Sequence, residues 1–465
     1  AFASEIEPLF TLLPQLSRCA NHLALWRLFE LGYIPSPLTA FDGVHQLPAA
    51  HTLVVKDGAL SMRPYWQIQF PTAGDVRKIP AAEANEEFAR RLRRAVDAWR
   101  LSDVPVGSLL SGGVDSASLA ALLTEISGGP IHTFSIGFAT SSHDERAQAR
   151  ATARHLGSYH HELIFEEDDF DRLPQLVRHL EAPQCSATSL ALFLLYRACH
   201  EAGFKVVMTG EGADELLGGY HWFDGDRRLR PLLRAPRLLR SLASRLPLPV
   251  SSGGRRVLAR GSGVPAARYA LWQETGSPGQ RRALLQVGGA PPIHRQWGHD
   301  FRDALQGRDP FNQFLFLDSQ TRMIDFINFE VDRASMAHSV EARPPFLDHQ
   351  LWSYCASLPP ALKLGAGGNK LLLRRAMVGR LPATVRRRPK QGLATPHADW
   401  WRRERLPSWA EELLHPASLA QTDVFHTATV ARLRREHQTG VADHSRLLMG
   451  VLTTQIWHDV MNVES

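Results

Sequence analysis

The sequence predicts an α/β fold: a parallel sheet covered on both faces, followed by a mostly helical C-terminal part. Three observations predict it. Between 104 and 209 short apolar strands alternate with helical segments, the pattern of a parallel sheet joined by crossover helices. The strand at 104–110 runs directly into a turn, Ser111-Gly112-Gly113, with a helix immediately behind it. Beyond Tyr220 the strand pattern stops and helical spacing continues to the end of the chain.

The elements follow in order. A short amphipathic helix is predicted over 20–31, and Gly32 to Pro37 is a proline-punctuated loop. A strand over 51–55 enters the Lys56-Asp57-Gly58 turn, so a hairpin is expected. A linker rich in Pro, Gly and Ala covers 71–84, and 85–100 is a helix with Phe88, Leu92, Val96 and Trp99 on one face. Then come a strand at 104–110, a helix at 115–126, a strand at 131–138, a helix at 144–156, a strand at 161–165, a helix at 189–202 and a strand at 205–209. The linker divides the chain into two units, 1–75 and 76–465, the second carrying a basic insertion at 227–260.

A chain of 465 residues, 44% hydrophobic and 22% charged, has the composition of a globular protein with more than one domain. No apolar run reaches the roughly 20 residues that span a bilayer, and no signal-peptide pattern is present, so a cytoplasmic protein is expected. The chain opens on Ala1 in what reads as folded sequence, which predicts an incomplete or processed N-terminus. The four cysteines, Cys19, Cys185, Cys199 and Cys355, include no C-x-x-C pair, which excludes a disulfide framework or a zinc site. The net charge of +6 owes much to arginines in 227–260. Few aromatics lie among them for base stacking, so that stretch reads as a solvated helical insertion and not as a nucleic-acid surface. Only six lysines occur, at 56, 78, 205, 363, 370 and 390, and their scarcity draws attention to each.

Ser111-Gly112-Gly113-Val114-Asp115-Ser116 has the parts of an anion cradle. Glycines let the backbone approach a ligand closely, the helix start offers N–H groups and a positive dipole end, and Ser111 and Ser116 add hydroxyls. Asp115 fits such a site if Mg²⁺, which prefers oxygen ligands and polyphosphate, lies between it and the phosphate. A second acidic motif follows the strand at 205–209: Gly210-Glu211-Gly212-Ala213-Asp214-Glu215-Leu216-Leu217-Gly218-Gly219-Tyr220. It sits where open α/β sheets bind ligands. Asp214 can share a cation with Asp115, leaving Glu211 as a base or ammonium-binding group. Lys390, in Arg387-Arg388-Pro389-Lys390-Gln391-Gly392, is a compact charge suited to a leaving pyrophosphate. Lys370, in Gly368-Asn369-Lys370, is the second candidate. The paired charges of 331–348 predict a buried Asp/Arg and Glu/Arg network packing a helix onto the nucleotide site.

These strings resemble a known group. S-G-G-x-D-S after a strand is similar to the pyrophosphate loop of the ATP pyrophosphatases, whose fold is of the adenine nucleotide alpha hydrolase type. G-E-G-A-D-E-L-L-G-G-Y and V-D-R-A-S-M-A-H-S-V-E-A-R-P-P-F-L-D resemble the synthetase domain of glutamine-dependent asparagine synthetases. Thr209 stands where that family has serine, Ala117 replaces another serine common in relatives, and Glu330 lies where many relatives carry lysine. Residues 1–75 resemble the last part of a class II glutaminase domain, without its N-terminal cysteine, so ammonia dependence is expected of this chain alone.

The resemblance implies adenylation of a carboxylate with ATP and Mg²⁺, aspartate and ammonia as the other substrates, a glutaminase domain or subunit as partner, and a homodimer. It implies that Leu110, Ser111, Gly112, Gly113, Asp115, Ser116, Ile136, Gly210, Lys370 and Lys390 bind nucleotide. Asp115 and Asp214 would hold the metal, and Glu211, Lys390, Asp115 and Asp214 would carry the chemistry. Other readings stay open: a relative with another acyl acceptor (a β-lactam or peptide cyclase, or a polysaccharide-associated amidotransferase), a tRNA-modifying enzyme, and last a non-catalytic scaffold, against which the intact acidic pair argues.

Overall fold

Two short helices open the chain, Glu7–Leu12 (α1) and His22–Leu31 (α2), in a computed structural model that describes residues 1–138, 144–246, 250–393 and 395–464. Asn21 starts α2 by accepting from the backbone N–H of Ala24, and Gly32 ends it at φ +94°, the left-handed turn that suits glycine. The expected hairpin forms from His51–Lys56 (β1) and Ala59–Pro64 (β2). Asp57 and Gly58 both take positive φ between them, the type I′ geometry that matches strand twist. The predicted linker is four residues too long, because Ala81–Trp99 (α3) begins directly after Pro80. Phe88, Leu92 and Val96 of α3 are buried as its periodicity predicts.

The central sheet contains Val106–Leu109 (β3), His132–Phe138 (β4), Tyr159–Phe165 (β5), Val206–Met208 (β6) and Glu341–Arg343 (β7). Its order is β5-β4-β3-β6-β7, and every pairing is parallel. Val114–Ser127 (α4), Arg146–Leu156 (α5), Leu173–Leu180 (α6) and Thr188–Glu201 (α7) provide the crossovers. The strand at the sheet edge, β7, corrects the expectation that strands stop at Tyr220. Three residues cannot show a period, and their extended form is imposed by the backbone of β6.

The chain runs outward from β3 to β4 and β5, then returns to place β6 on the other side of β3. The order therefore reverses between β3 and β6, and a crevice opens at their carboxyl ends. Both glycine-rich motifs follow those two strands.

Residues from the N-terminal stretch share a hydrophobic core with the end of the chain. Phe29 meets Phe425 edge-on at 5.6 Å between centroids, and Phe41 lies 4.9 Å from Trp457 of the helix Ser445–Val460. The basic stretch is helical over His221–Leu229, Arg237–Ala243 and Ser252–Arg260, while 247–249 lie outside the described residues. Several of its arginines are structural. Arg240 is buried and donates to the carbonyls of Ala235, Leu258 and Gly261. Arg260 pairs with Glu274, and Arg256 donates to the carbonyl of Leu271. No helix among the described residues is long and apolar enough to cross a membrane.

Candidate active site

The turn after β3 is held open by its own serines. Ser116 Oγ accepts from the backbone N–H of Ser111 at 3.0 Å, and the two hydroxyl oxygens lie 3.1 Å apart. Gly113 begins α4 with no side chain capping the helix, so backbone donors there are available to an anion. Gly112 is required by space: a Cβ would fall 2.8 Å from Gln148 Cβ as well as 2.0 Å from Arg388 Nη1. Arg388 donates to the carbonyl of Gly112 at 3.1 Å and pairs with Glu145 at 2.9 Å, anchoring the loop from the far end of the sequence.

The turn after β6 meets the first one closely. A Cβ on Gly210 would lie 3.2 Å from the backbone nitrogen of Ser116. Asp115 and Asp214 converge on the same cations. Lys370 Nζ sits 2.6 Å from Asp115 Oδ2 and 2.5 Å from Asp214 Oδ1, and Lys390 Nζ lies 2.7 Å from Asp214 Oδ2 and 3.9 Å from Asp115 Oδ2. Burial opposes ionisation of Asp214, but the two ammonium groups prevail and hold its carboxyl down at about 2. Lys390 is held above the ordinary lysine value by the two aspartates, against its own desolvation.

Lys370 takes φ +53° at the start of Leu371–Ala376, a conformation costly for a residue with a Cβ. Asn369 fixes it there: its amide donates to the carbonyl of Gly219 and its oxygen accepts from Arg374. Gly219 leaves the necessary room, since a Cβ would fall 1.9 Å from Asp214 Oδ1 and 2.1 Å from Lys370 Cε.

A cavity of about 270 Å³ lies over this junction. Leu110, Ser111, Asp115, Ser116, Ile136, Gly210, Glu211, Asp214 and Lys390 all line it. Gly112 and Gly113 form the turn beneath, and Lys370 is buried behind the aspartates. Burial pushes the Glu211 carboxyl up, and its Oε2 has no hydrogen-bond partner.

The residues suit a nucleotide triphosphate with Mg²⁺. The turn is a cradle with free helix-start donors, and Asp115 Oδ1 is a buried carboxylate oxygen without a hydrogen-bond partner. Among the described residues no three His, Cys, Asp or Glu side chains cluster as a metal site. Two carboxylates completed by phosphate oxygens are the arrangement Mg²⁺ favours.

Residues 87–459 match the asparagine synthase family. The chain belongs to the asparagine synthase family. It is 31% identical to the "Putative asparagine synthetase (glutamine-hydrolyzing)" of Mycobacterium tuberculosis (strain ATCC 25618 / H37Rv), over 95% of this chain and 68% of that protein. It is 28% identical to "Asparagine synthetase (glutamine-hydrolyzing) 1" of Bacillus subtilis (strain 168), over 95% of this chain and 69% of the relative. "Amidase chyE" of Penicillium rubens is 27% identical over 70% of this chain and 54% of its own length. The chain is thus a carbon–nitrogen ligase of the asparagine synthase family that performs ATP-dependent amidation.

Against that family frame, two sequence expectations change. The charges of 331–348 do not form one internal network over the nucleotide site. Arg333 instead pairs with Glu181 at 3.3 Å and donates to the carbonyl of Ser4, tying this segment to the start of the chain. Asp348 caps the helix His349–Ser357, and Arg343 pairs with Glu341 and donates to the carbonyls of Trp99 and Leu101. The motif does reach the acidic turn through Leu347, whose Cδ2 would lie 2.4 Å from a Cβ on Gly212. Scarcity also misleads for Lys363, which is buried and donates to Cys355 O and Asn312 Oδ1.

Sequence reasoning missed Arg322. It lines the cavity, lies 3.8 Å from Glu215 Oε1 and stacks over the rings of Tyr220, Trp222 and Phe326. Tyr220 donates to the same Glu215 at 2.7 Å. No local pattern marks Arg322, because Glu215, Tyr220 and Trp222 come from a turn about a hundred residues earlier. Arg388 belongs to the Arg387–Gly392 motif, and only its contacts with Gly112 and Glu145 distinguish it from Arg387.

Proposed function

We propose that the chain activates the side-chain carboxylate of aspartate with ATP and transfers the acyl group to ammonia, forming asparagine, AMP and pyrophosphate. The observation that supports this most strongly is the meeting of Asp115 and Asp214, 99 positions apart in the chain, on shared lysine ammonium groups beside the serine–glycine turn. Ser111, Gly112, Gly113 and Ser116 would hold the phosphates, with Lys390 neutralising the pyrophosphate as it leaves and Lys370 balancing the two aspartates from behind. Ile136 and Leu110 offer an apolar edge to the adenosine. Asp115 and Asp214 would hold Mg²⁺, which supplies charge neutralisation at the polyphosphate.

In the first step a carboxylate oxygen attacks the α-phosphorus, and the bond to pyrophosphate breaks with its electron pair. In the second the amine nitrogen attacks the acyl carbon and AMP departs. Glu211, raised in pKa by burial, would take the proton that the ammonia loses. Residues 1–75 we read as the last part of a glutaminase unit, and a glutaminase domain or partner would supply the ammonia.

Incubation with ATP, magnesium, aspartate and ammonium chloride should yield AMP, pyrophosphate and asparagine in equal amounts. Production of ADP and phosphate would reject the mechanism. A second reading keeps adenylation and changes the acyl acceptor. The glutamate at position 330, where the resemblance leads one to expect lysine, favours it.

A further inference from the structure

We propose that Glu330 forms a subsite for a primary ammonium group borne by an organic substrate; the inference rests on the amide-forming reading above. Glu330 lies on the helix Phe329–Met336 and is only 2% exposed, yet it lines the cavity that also contains Glu211. Its Oε1 has no hydrogen-bond partner among the described residues. A buried carboxylate oxygen without a donor is costly to keep, and a substrate cation at this position would satisfy it.

The surroundings indicate an organic cation. Leu192 and Leu195 of α7, with Phe326, Ile327 and Val331, make the neighbouring cavity wall apolar. Ammonium alone would gain nothing from those side chains, whereas an alkyl body would bury area against them. Phe326 and Ile327 belong to a π-helical turn, Met323–Asn328, directly before the Glu330 helix. Such widened turns are common at functional sites, and this one turns two apolar side chains into the same cavity as Glu330.

The fixed charges facing Glu330 are Arg322 and Arg446, and Ser189 adds a hydroxyl from α7. Arg322 lies 3.8 Å from Glu215 Oε1 and packs against three aromatic faces, and its Nη1 makes no hydrogen bond among the described residues. Burial pushes the Glu330 carboxyl up to about 8. It is therefore protonated at neutral pH until a cation arrives, and ammonium binding should release a proton.

Two substrates could carry the group: the amine that accepts the acyl chain, or the amino group of the acid being activated. Calorimetry separates them. The full chain, loaded with a non-hydrolysable ATP analogue and magnesium, is titrated with propylamine hydrochloride, with aspartate and with ammonium chloride. Wild type should bind one organic probe at least tenfold more tightly than ammonium. Glu330→Gln should weaken that probe at least tenfold, and Glu330→Asp should keep most of the affinity. Tight propylamine binding identifies the acceptor amine, and tight aspartate binding the acid's amino group. Repeating the titration in buffers of different ionisation heat should show the released proton.

The proposal is overturned if neither probe binds better than ammonium, or if Glu330→Gln binds both within twofold of wild type. If Glu330→Gln does not fold, Glu330→Asp decides: its affinity must fall between wild type and ammonium. Failure of wild type to bind the ATP analogue would instead reject the adenylation reading.

Discussion

Replacing Lys370 with methionine tests the central arrangement. The Lys370 ammonium is 1% exposed and contacts Asp115 and Asp214 at 2.6 and 2.5 Å. Methionine preserves much of the volume and removes the charge, leaving two buried carboxylates to share Lys390. Lys390 reaches Asp214 at 2.7 Å but stands 3.9 Å from Asp115, so it does not replace the bridge. Breaking one buried ion pair by removing a partner costs about 3–5 kcal/mol, and that loss is expected in urea unfolding at pH 7.

The pH dependence gives the sign. Asp214 is held down at about 2 in the folded protein, below the ordinary aspartate value of about 3.9. Its contribution, about 2–3 kcal/mol, is present above the unfolded value and is lost as pH falls through the folded one. Lys370→Met should raise the folded value, so the difference between variant and wild type should shrink between pH 4 and pH 2. Magnesium chloride should stabilise the variant more than wild type, because the paired carboxylates lose their internal cation. Equal urea midpoints for the two proteins at pH 7 would refute the claim that this lysine bridges the two aspartates and holds the Asp214 carboxyl down.

Other outcomes follow from the same geometry. Glu330→Gln should flatten the decline of stability between pH 5 and pH 8, because a carboxyl raised to about 8 takes up a proton on folding; the change in slope should approach about 1.4 kcal/mol per pH unit, read from urea midpoints across that range. Gly112→Ala places a methyl 2.0 Å from Arg388 Nη1 and should weaken ATP binding tenfold or more by calorimetry while leaving far-ultraviolet circular dichroism unchanged. Glu211→Gln should slow amide formation by roughly 10²–10⁴ and spare pyrophosphate–ATP exchange, measured with labelled pyrophosphate. Arg240→Ala strands the carbonyls of Ala235, Leu258 and Gly261 and should lower stability by about 1–3 kcal/mol without altering retention on an RNA column.

Much of the fold can be read locally. The hairpin was legible because Asp57-Gly58 carries its own turn chemistry, and α3 because its apolar positions recur at helical spacing. The strand edges were legible to within one or two residues, since a buried parallel strand is an apolar run between polar turns. The helix α6 and the strand β7 were not predicted. Leu173–Leu180 carries its own helical spacing in Leu173, Leu176, Val177 and Leu180, but over only eight residues next to an acidic 3₁₀ turn, and Glu341–Arg343 is three residues long and polar in sequence.

Of the site, the serine–glycine turn, the acidic turn and Lys390 were legible because each needs special residue types in a fixed order. What the chain order could not supply is proximity. The sheet places β6 beside β3, and that crossover alone brings Asp214 to Asp115. Lys370, Arg388, Arg322 and Glu330 acquire their places through packing among segments hundreds of residues apart. The identity of a side chain is local information, but its charge partner, its burial and the cavity it faces depend on every element packed around it. Sequence alone therefore determined the class of chemistry, and tertiary structure decided which lysine bridges the aspartates and which buried acids keep a carboxylate oxygen without a hydrogen-bond partner.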